Sequence, residues 1–210
     1  TSTGIQCSLE NLPAVKDEDY SPSLKKFTPS LKVALSRFEL EGVEGTATSW
    51  QELGKWQYDN LIHGRDKISK ATRLEIKNLV AGIENPIEKA KKVYQYVQDK
   101  TRYISIQVGI GGWQPVKASE VDEFKYGDCK GLTNYTKALL KIAGVPSNYA
   151  VVYGGRAKNN IDPDFPSMQG NHVILNLPQE NTDDIWLECT SQKTPFGFIG
   201  NFTDDRNVLL

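Results

Sequence analysis

The stretch YGDCKGLTNY, residues 126–135, surrounds a cysteine with the features of a reactive thiol. Asp128 is a residue type that caps helices, so a helix is expected to begin at Cys129. The unpaired N–H groups and the dipole at that end favour negative charge, and the thiolate is the nucleophilic form of cysteine. The N–H of Cys129 would also point toward an oxyanion forming on an attacked carbonyl. Gly127 and Gly131 would leave room for a substrate backbone.

A cysteine nucleophile needs a base, and the sequence contains two histidines, His63 and His172. His63 lies in LIHGRD, near a predicted helix end, and is expected to be solvated or to cap the helix. His172 opens the predicted strand HVILNL after a loop, where a side chain can face a cleft. We therefore expect His172 to be the base.

The following strand, within DIWLECT, carries Glu188 between the apolar residues Leu187 and Cys189. A carboxylate in an apolar strand is costly unless it is paired. Antiparallel pairing across the turn in PQENTDD could bring Glu188 beside His172, where it would orient the imidazole ring. The alternative is an exposed Glu188 on an edge strand. Cys189 would face the other side of the strand and is expected to be a core residue.

The elements that must position these residues follow from the periodicity of apolar side chains. Helices are predicted from Ser49, over about residues 68–83 and from Asn85, and a strand in TRYISIQV precedes the cysteine-bearing helix, which ends at Ala143. Three strands follow, in NYAVVY, HVILNL and IWLECT. Helices followed by strands indicate an α+β fold with an antiparallel sheet.

Residues 1–46 differ from the rest of the chain. DEDYSPSLKKFTPS mixes charge, Pro and Ser without periodicity, whereas LKVALSRFEL alternates as a strand would, at Leu31, Val33 and Leu35. We expect residues 1–46 to be an extended tail or the end of a preceding β domain, and residues 47–210 to form the catalytic domain. Since the chain opens without Met, we expect a piece of a longer protein, with the periplasm or cell envelope as a candidate location.

Composition narrows the class of protein. A net charge of −1 gives no indication of nucleic-acid binding, and no apolar run approaches the ~20 residues that a membrane span requires. The three cysteines and two histidines lack the paired spacing of a zinc site, so neither a metal nor another cofactor is expected. The expected partner is a protein or peptide substrate, and the sequence does not indicate an oligomeric state.

The motifs YGDCKG at a helix start, NHVILNL and WLECT together resemble the transglutaminase-like superfamily of cysteine acyl-transfer enzymes. SWQELGKW, TRYISIQVGIGGWQP and ECTSQKTPFGF agree in order, so the resemblance covers nearly all of the chain from about Ser49 to Leu210. It is closest to bacterial, chiefly Bacteroidetes-type, members with an N-terminal β-sandwich region. The resemblance implies a papain-like fold, in which a helix bearing the cysteine packs on an antiparallel sheet bearing the histidine and the acid.

Residue by residue, the resemblance implies that Cys129 is the nucleophile and His172 is the base. The acid in this superfamily is usually Asp, whereas this chain has Glu188 at that place. The longer side chain could still reach the imidazole, and Asp184 is a distant substitute.

The oxyanion hole needs a hydrogen-bond donor besides the N–H of Cys129. Trp113 and Gln114, in GGWQP, can each donate. We expect Gln114 to be this donor, because the papain-like plan draws one from this side of the nucleophile. The alternative is that both residues pack the loop.

These residues predict an enzyme that attacks an amide carbonyl and forms a thioester acyl-enzyme. Transfer of the acyl group to water would make it a peptidase, amidase or deamidase, and transfer to a lysine amine would make it a cross-linking transglutaminase. Both outcomes use the same residues, and we favour hydrolysis because relatives of this plan often hydrolyse. The alternatives from other classes are a non-catalytic peptide-binding module that retains the fold, and a redox thiol, which would need a resolving partner.

Overall fold

The structure is a computed structural model, and it describes residue 4 and residues 6–16, 18–22, 24 and 27–210. The chain divides into two units, residues 1–34 and residues 35–210. The described residues of the first unit form no α-helix or β-strand. The second unit carries all the predicted catalytic residues, so the site belongs to one compact part of the chain.

The second unit begins with a β-hairpin of β1 (Arg37–Leu40) and β2 (Val43–Thr46). Glu41 and Gly42 form its turn at φ values of +49° and +82°, which is the left-handed geometry that matches the twist of a tight hairpin. The strand expected from the alternation at residues 31–35 is absent. Their apolar side chains are exposed, and strand pairing starts at Arg37 instead.

The first helix, α1 (Trp50–Gln57), begins at the predicted cap. The hydroxyl of Ser49 accepts a hydrogen bond from the N–H of Glu52 at 3.1 Å. The helix then continues directly into a π-helical turn, Tyr58–Ile62, which the sequence did not predict. Trp56 is buried and packs this helix onto the hairpin.

The remaining helices are α2 (Lys70–Leu79), α3 (Pro86–Lys100), α4 (Ala118–Phe124), α5 (Cys129–Ile142) and the short α6 (Gly200–Thr203). As predicted, Asn85 caps α3 and Pro86 occupies its first turn. The second predicted helix is shorter at both ends than the expected range of about 68–83. Among the described residues, no helix combines the length and the apolar composition that crossing a membrane requires.

The central helix is α5, whose residues are buried from Cys129 to Leu140 with the exception of Lys137. It contacts α2, α3 and α4, and also β5 (Asn148–Val152) and β6 (His172–Leu177). The helix ends before Gly144, whose φ of +75° suits a helix C-terminus, as the sequence predicted. Because helices and strands both cover it, α5 is held in one position relative to the sheet.

The main sheet has the strand order β5–β6–β7, where β7 spans Ile185–Leu187, and both pairings are antiparallel. His172 opens β6 opposite Val152, and Leu175 pairs with Leu187. Continued by one residue, this register sets Glu188 at the same end of the sheet as His172. The predicted α+β class, with the cysteine-bearing helix packed on an antiparallel sheet, is confirmed.

A second small sheet pairs β3 (Arg102–Tyr103) with β4 (Tyr126–Gly127) in parallel. The strand predicted over TRYISIQV is therefore limited to two residues. Ile106 and Val108, farther along this stretch, are 40% and 83% exposed. Without a surface to pack on, their β-branched side chains do not extend the strand.

Candidate active site

Cys129 is the first residue of α5, as the sequence predicted. Asp128 caps the helix, since its Oδ1 accepts a hydrogen bond from the N–H of Gly131 at 2.9 Å. The cysteine is only 4% exposed and packs in a small apolar cluster with Tyr149 and Val173. The thiol therefore sits at the positive end of the helix dipole, with little water around it.

The two glycines beside the cysteine serve packing between helices. A Cβ added to Gly127 would lie 3.3 Å from Cγ2 of Val121, and one added to Gly131 would lie 3.5 Å from the same atom. The space next to both glycines is thus filled by α4, and the expectation that they leave room for a substrate backbone is wrong. Their role is to let α4 approach the start of α5 closely.

A buried ion pair flanks the nucleophile. Nζ of Lys130 binds Oδ2 of Asp128, and the two residues are 5% and 1% exposed. A buried charge requires a partner, so Asp128 both caps the helix and neutralises Lys130. This role of Lys130 was not predicted from the sequence, although the Asp-Cys-Lys order places the two charges close together.

His172 and Glu188 form a second buried pair. Nε2 of His172 lies 2.8 Å from Oε2 of Glu188, and each side chain is 9% exposed. The other carboxylate oxygen, Oε1, accepts hydrogen bonds from the N–H and the hydroxyl of Thr190 at 3.0 and 2.6 Å. Glu188 is therefore held through both oxygens and is not the exposed edge residue of the alternative interpretation.

The electrostatics of this pair favour charge on both partners. Burial opposes protonation of His172, but hydrogen bonds with Cys129 and Glu188 outweigh it and raise the pKa of His172 to about 9. Burial also acts to raise the pKa of Glu188, but the hydrogen bonds and charge of His172, together with the hydrogen bonds from Thr190, lower it overall. An imidazolium between Glu188 and Cys129 is thus the favoured form of the ring.

The orientation of the imidazole matches the needs of proton transfer. Because Nε2 faces Glu188, Nδ1 is the nitrogen left for the hydrogen bond with Cys129. An acid, an imidazole and a thiol in this order can move a proton from the thiol to the ring and later return it. The structure thus brings together the three residues that the sequence predicted as catalytic.

An aromatic side chain supports the ring of His172. Phe202 packs edge-on against it, with ring centroids 5.3 Å apart. Gly154 makes this approach possible, since a Cβ there would lie 2.5 Å from the Phe202 ring and 3.1 Å from Cβ of His172. Phe202 was not predicted from the sequence, because nothing in the local pattern of α6 relates this residue to β6.

A cavity of about 230 Å³ opens beside the thiol. Its walls include Cys129 and His172, together with Trp113 and Gln107 from the loop that precedes α4. The position of Gln107 in the cavity wall was not predicted. The only signal in the sequence was a polar residue directly after the alternating stretch ISI. The cavity is large enough for a side chain or a short stretch of extended peptide.

Gln114 lies in the same loop, but its amide group has other partners. Oε1 accepts a hydrogen bond from the guanidinium of Arg65, and Nε2 donates to the carbonyl of Asn60 at 3.5 Å. Arg65 also donates to the carbonyl of Pro115 at 3.1 Å. By contrast, the indole N–H of Trp113 donates to no group within the part of the chain that the structure describes.

The other candidate residues lie apart from the His172–Glu188 pair. His63 is exposed at the end of the π-helical turn. Asp184 accepts a hydrogen bond from Nδ2 of Asn176 at 2.8 Å and holds the turn between β6 and β7. Asn176 is four residues along β6 from His172, roughly 13 Å at the rise of a strand, so Asp184 occupies the opposite end of the sheet.

The thiols of Cys7, Cys129 and Cys189 are all free. Cys189 lies in the main apolar core, whereas Cys129 belongs to a separate cluster. Burial raises the pKa of Cys189 to about 12, which keeps this thiol protonated and unreactive. Over the described ranges, no group of three His, Cys, Asp or Glu side chains is arranged to hold a metal ion.

Residues 76–194 match the family described as the transglutaminase-like superfamily. The matched segment covers more than half of the 210-residue chain and contains Cys129, His172 and Glu188. No curated protein matches the chain.

Two solved structures are similar to the chain. A proposed protease from Parabacteroides distasonis is 19% identical with a TM-score of 0.49, and the match covers 64% of this chain and 26% of the other. A proposed cysteine protease from Cytophaga hutchinsonii is 16% identical with a TM-score of 0.43, and the match covers 61% of this chain and 42% of the other. The chain thus spans less than half the length of either structure.

Proposed function

Because the chain belongs to the transglutaminase-like superfamily, we propose that it is a cysteine-dependent enzyme acting on amide bonds of a protein or peptide substrate. The observation that carries the proposal is the buried pair of Glu188 and His172, hydrogen-bonded at 2.8 Å, with His172 and the Cys129 thiol in the wall of one cavity. Burying charged groups costs free energy unless their geometry compensates for it. A module that only binds peptides has no need of a charged pair aligned on a thiol.

The first half of the reaction forms a thioester. With the thiol proton of Cys129 already held on Nδ1 of His172, as an imidazolium beside a thiolate, Sγ attacks the carbonyl carbon of the amide. The carbonyl oxygen becomes an oxyanion, which the N–H of Cys129 stabilises. When the carbon–nitrogen bond breaks, the leaving nitrogen takes the proton from His172 and departs as an amine. Glu188 keeps the ring oriented and stabilises its positive charge throughout.

The second half releases the acyl group. His172 takes a proton from a water molecule, whose oxygen attacks the thioester, and the carbon–sulfur bond breaks to give a carboxylic acid and the thiol. A primary amine in place of water would give a new amide. We favour hydrolysis, because enzymes of this plan often hydrolyse.

The second oxyanion donor comes from the loop that precedes α4. Gln114 was the donor expected from the sequence, but the partners of its amide suit it better to anchoring this loop through Arg65. Trp113 and Gln107 line the cavity beside Cys129 and are better placed to donate. If Trp113 supplies the donor, Trp113→Phe should lower kcat by roughly 10²–10³. A similar loss in Gln107→Ala would assign the role to Gln107 instead.

We also propose a division of the chain into domains and a bacterial subtype within the superfamily. Residues 47–210 would be the catalytic domain, and residues 1–46 would be an extended tail or the end of a preceding β domain, as in members of the Bacteroidetes type. The β1–β2 hairpin, which closes the first segment, packs on α1 through an edge-on contact of Phe38 with Trp56 at 4.8 Å. Comparing the thermal stability of residues 47–210 with that of the full chain tests whether the hairpin is needed by the catalytic domain.

The function is tested by incubating the protein with a peptide library, with and without an added primary amine, and analysing the products by mass spectrometry. Cleaved peptides, conversion of Gln to Glu, or amine incorporation would each identify one branch of the reaction. Cys129→Ala is the control and should abolish every product. If the unaltered protein binds peptides but modifies none of them, the non-catalytic binding module is the correct interpretation.

A further inference from the structure

Two helical turns from the nucleophile, α5 carries a lysine at the only position between Cys129 and Leu140 that is not fully buried. This residue, Lys137, follows Cys129 by eight positions, which places it about 12 Å farther along the helix axis and roughly 80° around it. The helix thus fixes the separation between the backbone positions of the lysine and the cysteine.

Two neighbouring cavities lie beside these two residues. The cavity beside Cys129 and a neighbouring cavity of about 400 Å³ share wall residues contributed by α1, β5 and the end of the chain, namely Gln57, Tyr149, Val151 and Leu209. The second cavity contains Lys137, which also lines a third cavity of about 650 Å³. These two adjoining cavities, the first beside Cys129 and the second beside Lys137, are called the groove below.

Within the described part of the chain, the ammonium group of Lys137 forms no direct ion pair. Among the described residues, no carboxylate lies within ion-pair distance of Lys137, and the acidic residue that faces it, Asp66, is bonded to Lys141 at 2.8 Å. Lys55, farther along the groove, is paired with Asp59. Burial lowers the pKa of Lys137, an effect that the charge of Asp66 offsets in part. A carboxylate from outside would supply the missing partner.

We propose that this groove is a specificity site that selects peptides carrying a carboxylate three or four residues from the reacting amide. An extended peptide advances about 3.3 Å per residue, so three or four residues span the distance from Cys129 to Lys137. The carboxylate pairs with Lys137 and comes from an Asp or Glu side chain or from the end of the substrate chain. This inference rests on the proposed function, because Cys129 defines the reacting amide.

Binding to the inactive Cys129→Ala protein tests the groove without requiring turnover. The probes are fluorescent peptides with one central Gln among small residues and with Glu, Gln or Lys at the third or fourth position on either side. A second pair carries a free or an amidated C-terminus at the same distance, which separates the two sources of the carboxylate. Fluorescence anisotropy should show Kd values about tenfold lower for the favoured carboxylate peptide than for its Lys counterpart.

Substitutions in the same background assign the preference to one side chain. Lys137→Met should abolish the preference, and Lys137→Glu should reverse it in favour of the Lys peptide. The control is Lys92→Glu, which makes the same change in net charge on the exposed surface of α3 and should leave the preference unchanged. Thermal unfolding of each variant establishes that the fold is retained.

Equal affinity for the Glu, Gln and Lys peptides, no binding by any of them, or a preference that survives Lys137→Glu would overturn the inference. The unaltered enzyme separates this failure from failure of the proposed function. Turnover of peptides without a charge preference would refute the groove assignment alone. A charge preference in binding, with no turnover of any peptide, would refute the reaction and leave a carboxylate-selective groove.

Discussion

Nε2 of His172 and Oε2 of Glu188 are 2.8 Å apart, although their strands do not set the two residues directly opposite each other. The β6–β7 register, continued by one residue, places Glu188 opposite Ile174 and diagonal to His172. Diagonal neighbours in an antiparallel pair are separated by roughly 7–8 Å, a gap that a long side chain can close. Glu188 therefore fits this position even though Asp is the usual acid in the superfamily.

The pair leads to a kinetic prediction for Glu188→Gln, which keeps the shape of the side chain and removes its charge. We expect kcat/KM to fall roughly 30-fold, corresponding to ~2 kcal/mol of transition-state stabilisation, because the imidazolium loses its charged partner. Steady-state kinetics, together with a melting curve, measure this effect. A normal rate in a folded variant would remove Glu188 from the catalytic machinery and leave a Cys–His dyad.

Further variants of His172 and Glu188 test whether the two residues act together. His172→Ala should be slower than Glu188→Gln, and the double variant should be no slower than His172→Ala alone, since the residues act as a unit. Glu188→Asp should keep part of the activity, with the shorter side chain stopping short of the diagonal distance. Additive losses in the double variant would contradict a shared role.

Thiol labelling is expected to distinguish the three cysteines. At pH ~6 few ordinary thiols are ionised, whereas a thiol beside an imidazolium can form an ion pair and react. Limited iodoacetamide should therefore label Cys129 before the exposed Cys7, and it should leave the buried Cys189 unlabelled in the folded protein. Peptide mapping by mass spectrometry measures the order. Equal labelling of Cys7 and Cys129 would argue strongly against an active enzyme.

The buried pair also predicts a window of pH in which it stabilises the fold. The pKa of His172 is raised from 6.5 to about 9, so its contribution is complete below about pH 6.5 and is lost as the pH rises through about 9. The pKa of Glu188 is lowered from 4.5, so its contribution is complete above that value and is lost as the pH falls through the lowered pKa.

The unfolding free energy of the wild type should therefore be higher than that of Glu188→Gln, by on the order of 1–2 kcal/mol. The difference should be largest between about pH 5 and 6.5. Urea unfolding across the pH range measures the difference. Glu123→Gln, which removes an exposed carboxylate from α4, is the matched control. A difference that is constant from about pH 5 to 10 would show that the pair does not hold its charges in the way described.

The Asp128–Lys130 pair should behave differently in single and double variants. Asn also caps helices, so Asp128→Asn should keep the cap of α5. The substitution leaves Lys130 buried without its counterion, which should cost roughly 3–5 kcal/mol of stability. Adding Lys130→Met removes the unpaired charge and should recover a large part of that loss. Chemical unfolding of the two single variants and the double variant provides the measurement. Additive destabilisation would mean that the ion pair does not explain the burial of Lys130.

Chelation is expected to leave catalysis unchanged, because the proposed reaction uses a thiol, an imidazole and a carboxylate. The sequence also lacks the paired Cys and His spacing of a metal site. Activity on a responsive peptide should be the same before and after dialysis against EDTA. Loss of activity that zinc or calcium restores would show that a metal is required.

The amino-acid sequence alone determined the features that depend on neighbouring residues. The cap at Asp128, the start of α5 at Cys129 and the stop before Gly144 follow from residue types within a few positions of one another. The alternation of the last strands indicated the antiparallel sheet, whose central strand begins with His172. These patterns are local preferences of the backbone, and the finished fold satisfies them.

Tertiary structure alone decided which of these side chains are covered, what they face and how they are charged. The glycines beside Cys129 face α4 and not a substrate, because α4 packs against the start of α5. The amide of Gln114 bonds to Arg65 and not toward the thiol, because the fold brings Arg65 next to it. The raised pKa of His172 depends on partners from two other segments, Cys129 and Glu188, whose effect outweighs the opposite effect of burial. Such effects depend on groups far apart in the sequence, whose distances arise only when the helices pack on the sheet.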